Sequence, residues 1–267
     1  CVLIGAPIGT AMCLSSVSAL ITSNMGLSMV PFNYYASISK FLLLAIPFFI
    51  LAGNIMNNGG IAKRLVDFAQ LFVGKIPGNL AQANILGNML FGALSGSSVA
   101  AASAIGCISP IEKEQGYDPA FSASANIVSA PTGLLIPPTS AFIVYSTVAG
   151  GVSISTLFMA GYLPGILMGL VCMVIAFILA KKLGIKATGR DKSVGVAKTV
   201  WNAIPSLLLI IIVIGGIVSG IFTATEGAGI AVLYCLVLSI IYKSITFKSF
   251  IKILENSAKE AARFHAD

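Results

Sequence analysis

The sequence predicts an all-α, polytopic membrane protein, and three observations support that fold class. Of its 267 residues, 57% are hydrophobic and only 9% are charged, whereas about a quarter of the residues in soluble domains are charged. Most of the chain lies in stretches without Asp, Glu, Lys or Arg, and the basic residues concentrate in short segments between them. These stretches are 1–39, 41–62, 76–111, 119–180, 199–225 and 227–242. A spanning helix needs about 20 apolar residues, so they have room for about seven or eight membrane segments.

The densest basic segment is 181–198, which contains six Lys or Arg residues and one Asp. Because Lys and Arg favour cytoplasmic loops, we expect this loop to be cytoplasmic and to separate residues 1–180 from 199–267. Counting spans backwards places 112–118 in the cytoplasm, together with the basic residues of 63–75. The net charge of +7 comes from such short loops, so it does not indicate nucleic-acid binding.

Two segments are amphipathic. In 61–73 the apolar residues Leu65, Phe68, Leu71 and Phe72 recur at helical spacing, which predicts a helix lying along the membrane interface. The closing stretch SFIKILENSAKEAARF predicts a second amphipathic helix on the cytoplasmic side.

The uncharged stretch 76–111 is 36 residues long and contains SGSS at its middle. Each arm has about 15 residues, too few to cross a bilayer at 1.5 Å per residue. We therefore predict a re-entrant helical hairpin over 78–110 with its polar tip inside the membrane. Two short, tilted spans are the alternative.

The next segment, 120–147, is interrupted by PTGLLIPPT. Its three prolines and its glycine cannot all lie in a continuous helix, because each proline removes a donor and clashes with the preceding turn. A simple kink is the alternative, but this density of breakers predicts a broken helix with free carbonyl oxygens. Since no carboxylate lies near either interruption, the pattern favours a neutral oxygen cage for a small cation over a proton relay.

Glu226 is the one acid that borders the apolar core of the second part. It is either functional or part of a helix N-cap with Thr223 or Thr225. The five cysteines are scattered in apolar context and fit no metal or disulfide spacing. The sequence has no nucleophile–base pair, HExxH site or paired membrane acids, so we predict that the protein is not an enzyme.

Several stretches together resemble one family, the large membrane (M) subunit of tripartite ATP-independent periplasmic (TRAP) transporters. They are LLLAIPFFILAGNIMNNGGIAKRLVDFA (42–69), MLFGALSGSSVAAASAIG (89–106), GYDPAFSAS (116–124), GLLIPPT (133–139), SISTLFMAGYLPGILMGL (153–170) and GIFTATEGAGIAVLY (220–234). The resemblance covers essentially the whole chain in the right order.

The resemblance implies an elevator-type transporter of the bacterial inner membrane, built from two inverted repeats. Each repeat has a re-entrant hairpin and a broken helix. Residues 1–180 would be the first repeat, and 199–267 the start of a second repeat that is truncated before its own hairpin.

The resemblance also implies where ligands bind. A sodium ion, the only metal expected, would lie between the hairpin tip and the broken helix, at Ser95, Ser97, Ser98, Gly133, Ile136 and Pro138. Neighbouring positions expected to contact substrate are Gly96, Thr132, Thr139 and Ser140.

The function implied is sodium-driven symport of an organic acid. A periplasmic binding protein would deliver the acid, and a small four-helix membrane (Q) subunit would brace the large one. Sialic acid or a related sugar acid is the favoured substrate, and a C4-dicarboxylate or another carboxylate is the alternative. From other classes, an ion channel or a non-transporting membrane scaffold stays open.

Overall fold

The computed structural model describes residues 8–23, 26, 28–74, 76–150, 152–185 and 195–266. Regular structure in these ranges is helical, which confirms the all-α prediction. The α-helices are α1 (Ile8–Thr22), α2 (Met29–Ile38), α3 (Ala45–Asn58), α4 (Ile61–Val73), α5 (Asn79–Ser95), α6 (Ser98–Ile105), α7 (Ser109–Glu114), α8 (Pro119–Ser129), α9 (Thr132–Leu135), α10 (Ser140–Val148), α11 (Ile154–Lys182), α12 (Val196–Val218), α13 (Ala224–Ile241) and α14 (Phe247–Ala266). Two 3-10 turns, Phe41–Leu44 and Gly106–Ile108, precede α3 and α7. Half of the predicted basic loop, 186–194, lies outside the described residues.

Four helical segments of the described chain are long and apolar enough to cross a bilayer: Phe41–Asn58, Ile154–Lys182, Val196–Val218 and Ala224–Ile241. A fifth candidate is a bent pair, Pro119–Leu135 with Ser140–Val148. The polytopic prediction is confirmed. Within the described residues four or five segments pass this test, whereas seven or eight membrane segments were expected for the whole chain, and the half-length helices of 76–111, which were predicted as a hairpin, do not count as spans.

Helices α3 and α13 pack side by side and run parallel. At one end, the Thr225 hydroxyl donates to the Phe41 carbonyl over 3.4 Å. At the other end, Gly59 lies against Ser239, where an added Cβ would be 2.8 Å from the serine hydroxyl. The fully buried Phe49 of α3 belongs to the hydrophobic core that continues into α12 and α13.

Helix α11 packs antiparallel to α5. Gly78, just before α5, approaches Ala180 so closely that an added Cβ would be 2.5 Å from the alanine Cβ. Further along, the Gln82 amide donates to the Met173 carbonyl over 2.8 Å. With 29 residues, α11 is about 43 Å long at 1.5 Å per residue. The position of a neighbouring residue along the span can therefore be measured from the residue of α11 that it contacts.

Helix α4 has the predicted bounds. It packs against α5 and α12, and Leu65, Ile61 and Ala69 are fully buried. Phe72 is exposed, and Phe68 and Phe72 form an edge-to-face pair with ring centroids 5.1 Å apart. The location of α4 at the membrane interface stays a prediction.

The second amphipathic segment forms α14, which packs on α3. The Asn54 amide of α3 donates to the Ser257 hydroxyl over 3.0 Å and to the Glu260 carboxylate over 2.9 Å. These bonds hold α14 on the outside of α3.

Glu226 acts as a helix cap. Its carboxylate accepts a bond from the Thr223 backbone N–H over 2.8 Å, and the Glu226 N–H donates back to the Thr223 hydroxyl over 3.3 Å. This reciprocal pair is a capping box at the start of α13, so the capping alternative for Glu226 is confirmed.

Candidate cation-binding site

The tip of the predicted hairpin is a tight, polar turn between α5 and α6. Helix α5 ends at Ser95, Gly96 has a left-handed φ of 61°, and Ser97 is extended. The Ser97 hydroxyl caps α6 by accepting the Ala100 N–H over 3.3 Å. Ser95 is buried, and its hydroxyl makes long bonds, 3.4 and 3.5 Å, to the backbone of Ser97. The Ser97 hydroxyl is therefore used to cap α6, whereas the Ser95 hydroxyl caps no helix.

The ends of the hairpin meet. After α6 and α7 the chain returns to the start of α5, where the Tyr117 hydroxyl donates to the Asn79 side chain over 3.2 Å. The same hydroxyl accepts the Leu80 N–H over 3.2 Å. The stretch 76–111 is thus a helical hairpin, and its re-entrance into a membrane stays a prediction.

The next segment is interrupted at both ends of the predicted PTGLLIPPT motif. Helix α8 ends at Ser129 and α9 begins at Thr132, after a turn at 130–131 in which the Gly133 N–H bonds the Ala130 carbonyl over 3.0 Å. The second interruption, 136–139, separates α9 from α10, and the axis bends by 43° there. Pro131 lies just before the first turn of α9, where its missing N–H is not needed.

Two carbonyl groups are released by the two prolines that follow α9. In a continuous helix the carbonyls of Gly133 and Leu134 would accept the N–H groups of residues 137 and 138. Both positions are proline and have no N–H. The break therefore frees backbone oxygens beside the hairpin, as its sequence predicted.

The tip and the break touch through glycines. An added Cβ on Gly92 would be 2.1 Å from the Gly133 Cα, and one on Gly96 would be 2.4 Å from the Pro138 carbonyl oxygen. Backbone thus packs on backbone at both points. Gly96, which lies between Ser95 and Ser97 in the tip, thus lies against Pro138 and Thr139, while Gly133 lies against Gly92 in the body of α5.

The break lies well inside the length of α11. Gly165 of α11 packs on Ile136, where an added Cβ would be 2.5 Å from the isoleucine Cγ1. Gly165 is 11 residues from Ile154 and 17 from Lys182, which is about 16 and 25 Å along the helix. The tip, in contact with the break, therefore does not reach the outer end of the span.

Four helix ends converge at this point, and their partial charges differ in sign. The carboxyl ends of α5 and α9 carry partial negative charge, while the amino ends of α6 and α10 carry partial positive charge. A small cavity of about 10 Å³ lies beside them, lined by Pro138 and by apolar residues that include Phe49, Leu209 and Val213. The arrangement can hold a small cation at the carboxyl ends and favours an anion at the amino ends.

The four positions predicted to contact substrate have little exposed surface. Thr132 and Thr139 are fully buried. The Thr132 hydroxyl donates to the Ser129 carbonyl over 2.6 Å, and that of Thr139 accepts the Ala141 N–H over 3.2 Å. Gly96 is also buried and Ser140 is half-buried. Of these four positions, Gly96 and Thr139 meet at the contact between tip and break.

A buried polar network was missed in the sequence. Asn88 of α5 donates to Asn84, Asn126 and Ser129 over 3.1, 2.9 and 2.8 Å. Asn126 in turn donates to the Ala102 carbonyl of α6 over 2.9 Å. Both arms of the hairpin are thereby bonded to α8. Asparagines four residues apart in an uncharged stretch were the available signal, but their partners are distant in sequence.

Glu112 was also missed. Its side chain is fully buried between α7 and α8 and accepts a short bond from the Ser122 hydroxyl. Its other carboxylate oxygen has no hydrogen-bond partner. Burial raises the pKa of Glu112 from 4.5 to about 7. The segment that joins the hairpin to the broken helix therefore contains a carboxyl group that titrates near neutral pH.

The chain is similar in sequence to one family of transporter subunits. The family described as "Tripartite ATP-independent periplasmic transporter, DctM component" matches residues 1–265. The chain is 47% identical over 258 residues to the uncharacterized protein YgiK of Salmonella typhimurium, covering 95% of this chain and 59% of YgiK. It is 35% identical over 265 residues to the sialic acid TRAP transporter large permease SiaM of Vibrio cholerae, covering 97% and 61%. It is 41% identical over 225 residues to the C4-dicarboxylate TRAP transporter large permease DctM of Pseudomonas aeruginosa, covering 82% and 52%.

The chain thus spans between about half and three fifths of the length of these relatives. Two of them are named as transporter permeases, which agrees with the prediction that the chain is not an enzyme. The family match over 1–265 and the apolar spans lead to one conclusion. This chain is a multi-pass inner-membrane protein that belongs to the DctM-component family of large membrane subunits of TRAP transporters.

Proposed function

We propose that the full-length protein is the membrane subunit of a sodium-coupled importer of an organic acid. The observation that supports this most directly is the contact between a polar hairpin tip and a broken helix inside the span of α11. Continuous helices would pack without such breaks. Transporters use interrupted helices to present carbonyls and helix ends to ions and substrates.

In this proposal one sodium ion binds between the tip and the break. Its ligands come from the hydroxyls of Ser95, Ser97 and Ser98 and from the backbone oxygens of Gly133, Ile136 and Pro138. Ser95 is the strongest candidate among the hydroxyls, because Ser97 already caps α6. The carboxyl ends of α5 and α9 favour a positive charge there.

The substrate is an organic anion that binds at the amino ends of α6 and α10, near Gly96, Thr132, Thr139 and Ser140. Because these positions are buried or half-buried, substrate access requires the tip to move or a surface from the rest of the full-length chain. Sialic acid or a related sugar acid is the first candidate. A C4-dicarboxylate is the second, supported by the 41% identity to the dicarboxylate permease.

The proposal includes a periplasmic binding protein and a small four-helix membrane subunit as partners, as the word tripartite in the family description suggests. It also includes an elevator movement of two inverted repeats, of which 1–180 would be the first.

The test uses the full-length subunit with its small membrane partner in proteoliposomes. We expect labelled sialic acid, presented by a periplasmic binding protein, to accumulate only under an inward sodium gradient. Sodium-dependent uptake of a dicarboxylate, but not of sialic acid, would keep the mechanism and replace the substrate. Uptake that ignores both sodium and the binding protein would refute the proposal and favour a channel.

Variants of the same preparation test the ion site. Ser95→Ala should raise the sodium concentration for half-maximal uptake at least about tenfold, because a bond to a charged group contributes about 1.5 kcal/mol or more. Ser103→Ala, on an exposed position of α6, is the matched control and should leave it unchanged. Equal sodium activation in both variants would exclude Ser95 from the site.

A further inference from the structure

An apolar groove separate from the ion site opens between α8 and α11, with α5 at its floor. The cavity has a volume of about 110 Å³. Ile85 of α5 and Phe121 of α8 form its buried base. Its lining is apolar except for the hydroxyl of Ser124 and the thiol of Cys172.

The rim of the groove is exposed. Val128, Ile175 and Leu179 expose 57, 51 and 42% of their surface, and each lines the cavity. Because α11 is a candidate membrane span, we expect this rim to face hydrocarbon and not water. The groove is too small for a helix, which is about 10–12 Å wide with its side chains, but it accepts a single hydrocarbon chain.

The depth of the groove corresponds to one leaflet. Its lining on α11 extends from Cys172 to Leu179, which is about 15 to 4 Å from Lys182 at 1.5 Å per residue. Half of a bilayer core is about 15 Å thick. An acyl chain of the leaflet on the Lys182 side would therefore lie alongside the groove for most of its length.

Of two adjacent lysines at the end of α11, only one lies on the side of the groove. With 3.6 residues per turn, Lys182 lies on the same side of α11 as Ile175, seven residues earlier, whereas Lys181 lies on the opposite face. Both lysines are exposed. On α8, Asp118 lies at the same end, where its carboxylate is engaged in capping the Phe121 N–H over 3.2 Å. Lys182 is thus positioned to meet a lipid phosphate above the groove.

We propose that the α8–α11 groove binds one acyl chain of an anionic phospholipid whose phosphate pairs with Lys182. The lipid fills the space between the broken helix and α11 and contacts the hairpin through Ile85. It is a binding site for a membrane component, separate from the ion site.

The test uses the full-length subunit with its membrane partner, reconstituted in phosphatidylethanolamine and phosphatidylglycerol vesicles. A phosphatidylglycerol with a photoreactive group at mid-chain should label Val128, Cys172 or Ile175. It should label the region of Leu163 much less, although Leu163 is more exposed, at 77%. Even labelling of the two regions would overturn the proposal, as would crosslinks showing that another protein segment occupies the groove.

A pair of lysine variants tests the headgroup contact. After extraction in detergent, native mass spectrometry should find about fivefold less phosphatidylglycerol on Lys182→Gln than on wild type, since one basic residue near anionic lipid contributes about 1 kcal/mol. Lys181→Gln is the matched control and should retain the wild-type amount. Equal loss in both variants would mean non-specific attraction, and no loss in either would refute the headgroup contact.

Discussion

Two regions of the molecule have a similar apolar composition, but one forms long continuous helices and the other forms short interrupted ones. The pair α12–α13, Val196–Ile241, consists of two continuous spans joined by a short turn with a capping box. The region Asn79–Val148 is equally free of charge through most of its length, yet it forms short helices connected by glycine contacts and an asparagine network. Apolar length alone therefore does not decide whether a segment spans. The position of Gly, Pro, Ser and Asn decides where it breaks and what it packs against.

The largest expected difference between the two regions is the effect on stability of replacing one glycine in each by leucine. Gly92→Leu places a side chain between two backbones, because even a Cβ would be 2.1 Å from the Gly133 Cα. We expect a loss of about 3 kcal/mol or more from overpacking, measured as thermal unfolding in detergent micelles. Gly229→Leu in α13 has no atom within 4 Å of its added Cβ, and it should be stabilising by up to about 1 kcal/mol through helix propensity. Equal stability of the two variants would mean that the hairpin and the broken helix are not in contact.

The carboxylates of the two regions also differ, since Glu112 is buried and Glu226 is an exposed cap. The folded-state pKa of Glu112 is raised to about 7 from 4.5, so the folded protein binds the proton more tightly than the unfolded chain. Stability should therefore be greatest below about pH 4.5 with respect to this group and fall as pH rises to 7, by about 3 kcal/mol in total.

Glu112→Gln should remove that pH dependence, since the amide resembles the protonated acid. Glu114→Gln, at an exposed position of the same helix, is the matched control and should keep it. The measurement is the unfolding free energy of each variant from pH 5 to 8. An unchanged slope in Glu112→Gln would show that the carboxyl group of Glu112 is not buried.

The smallest expected effect on stability concerns the turn between α12 and α13. Thr223→Ala removes the side chain that caps α13 and should cost about 1 kcal/mol. Hydrogen exchange of the first-turn amides of α13 should accelerate accordingly. Ser219→Ala, before the same turn, removes only a 3.2 Å bond to the Gly216 carbonyl and should change exchange little. Faster exchange in Ser219→Ala than in Thr223→Ala would contradict the capping box.

Local chemistry explains what the sequence could predict. The SGSS motif predicted the hairpin turn, because glycine permits a left-handed backbone conformation. The PPT motif predicted the break, because proline has no backbone N–H to donate. The bounds of α4 were right for the same reason, since its periodicity is local. The sequence analysis did not predict which side chains of α4 are buried, because that depends on packing against α5 and α12. The partners of Asn88 were not predictable either, because Asn126 is 38 residues away.

The contact between Gly92 and Gly133 has a consequence for motion. No side chain separates the two backbones there, and the asparagine bonds below the tip join both arms of the hairpin to α8. We therefore expect the arms of the hairpin and the broken helix to move together, so that a displacement of these arms across the membrane would carry the carbonyls of the break with it.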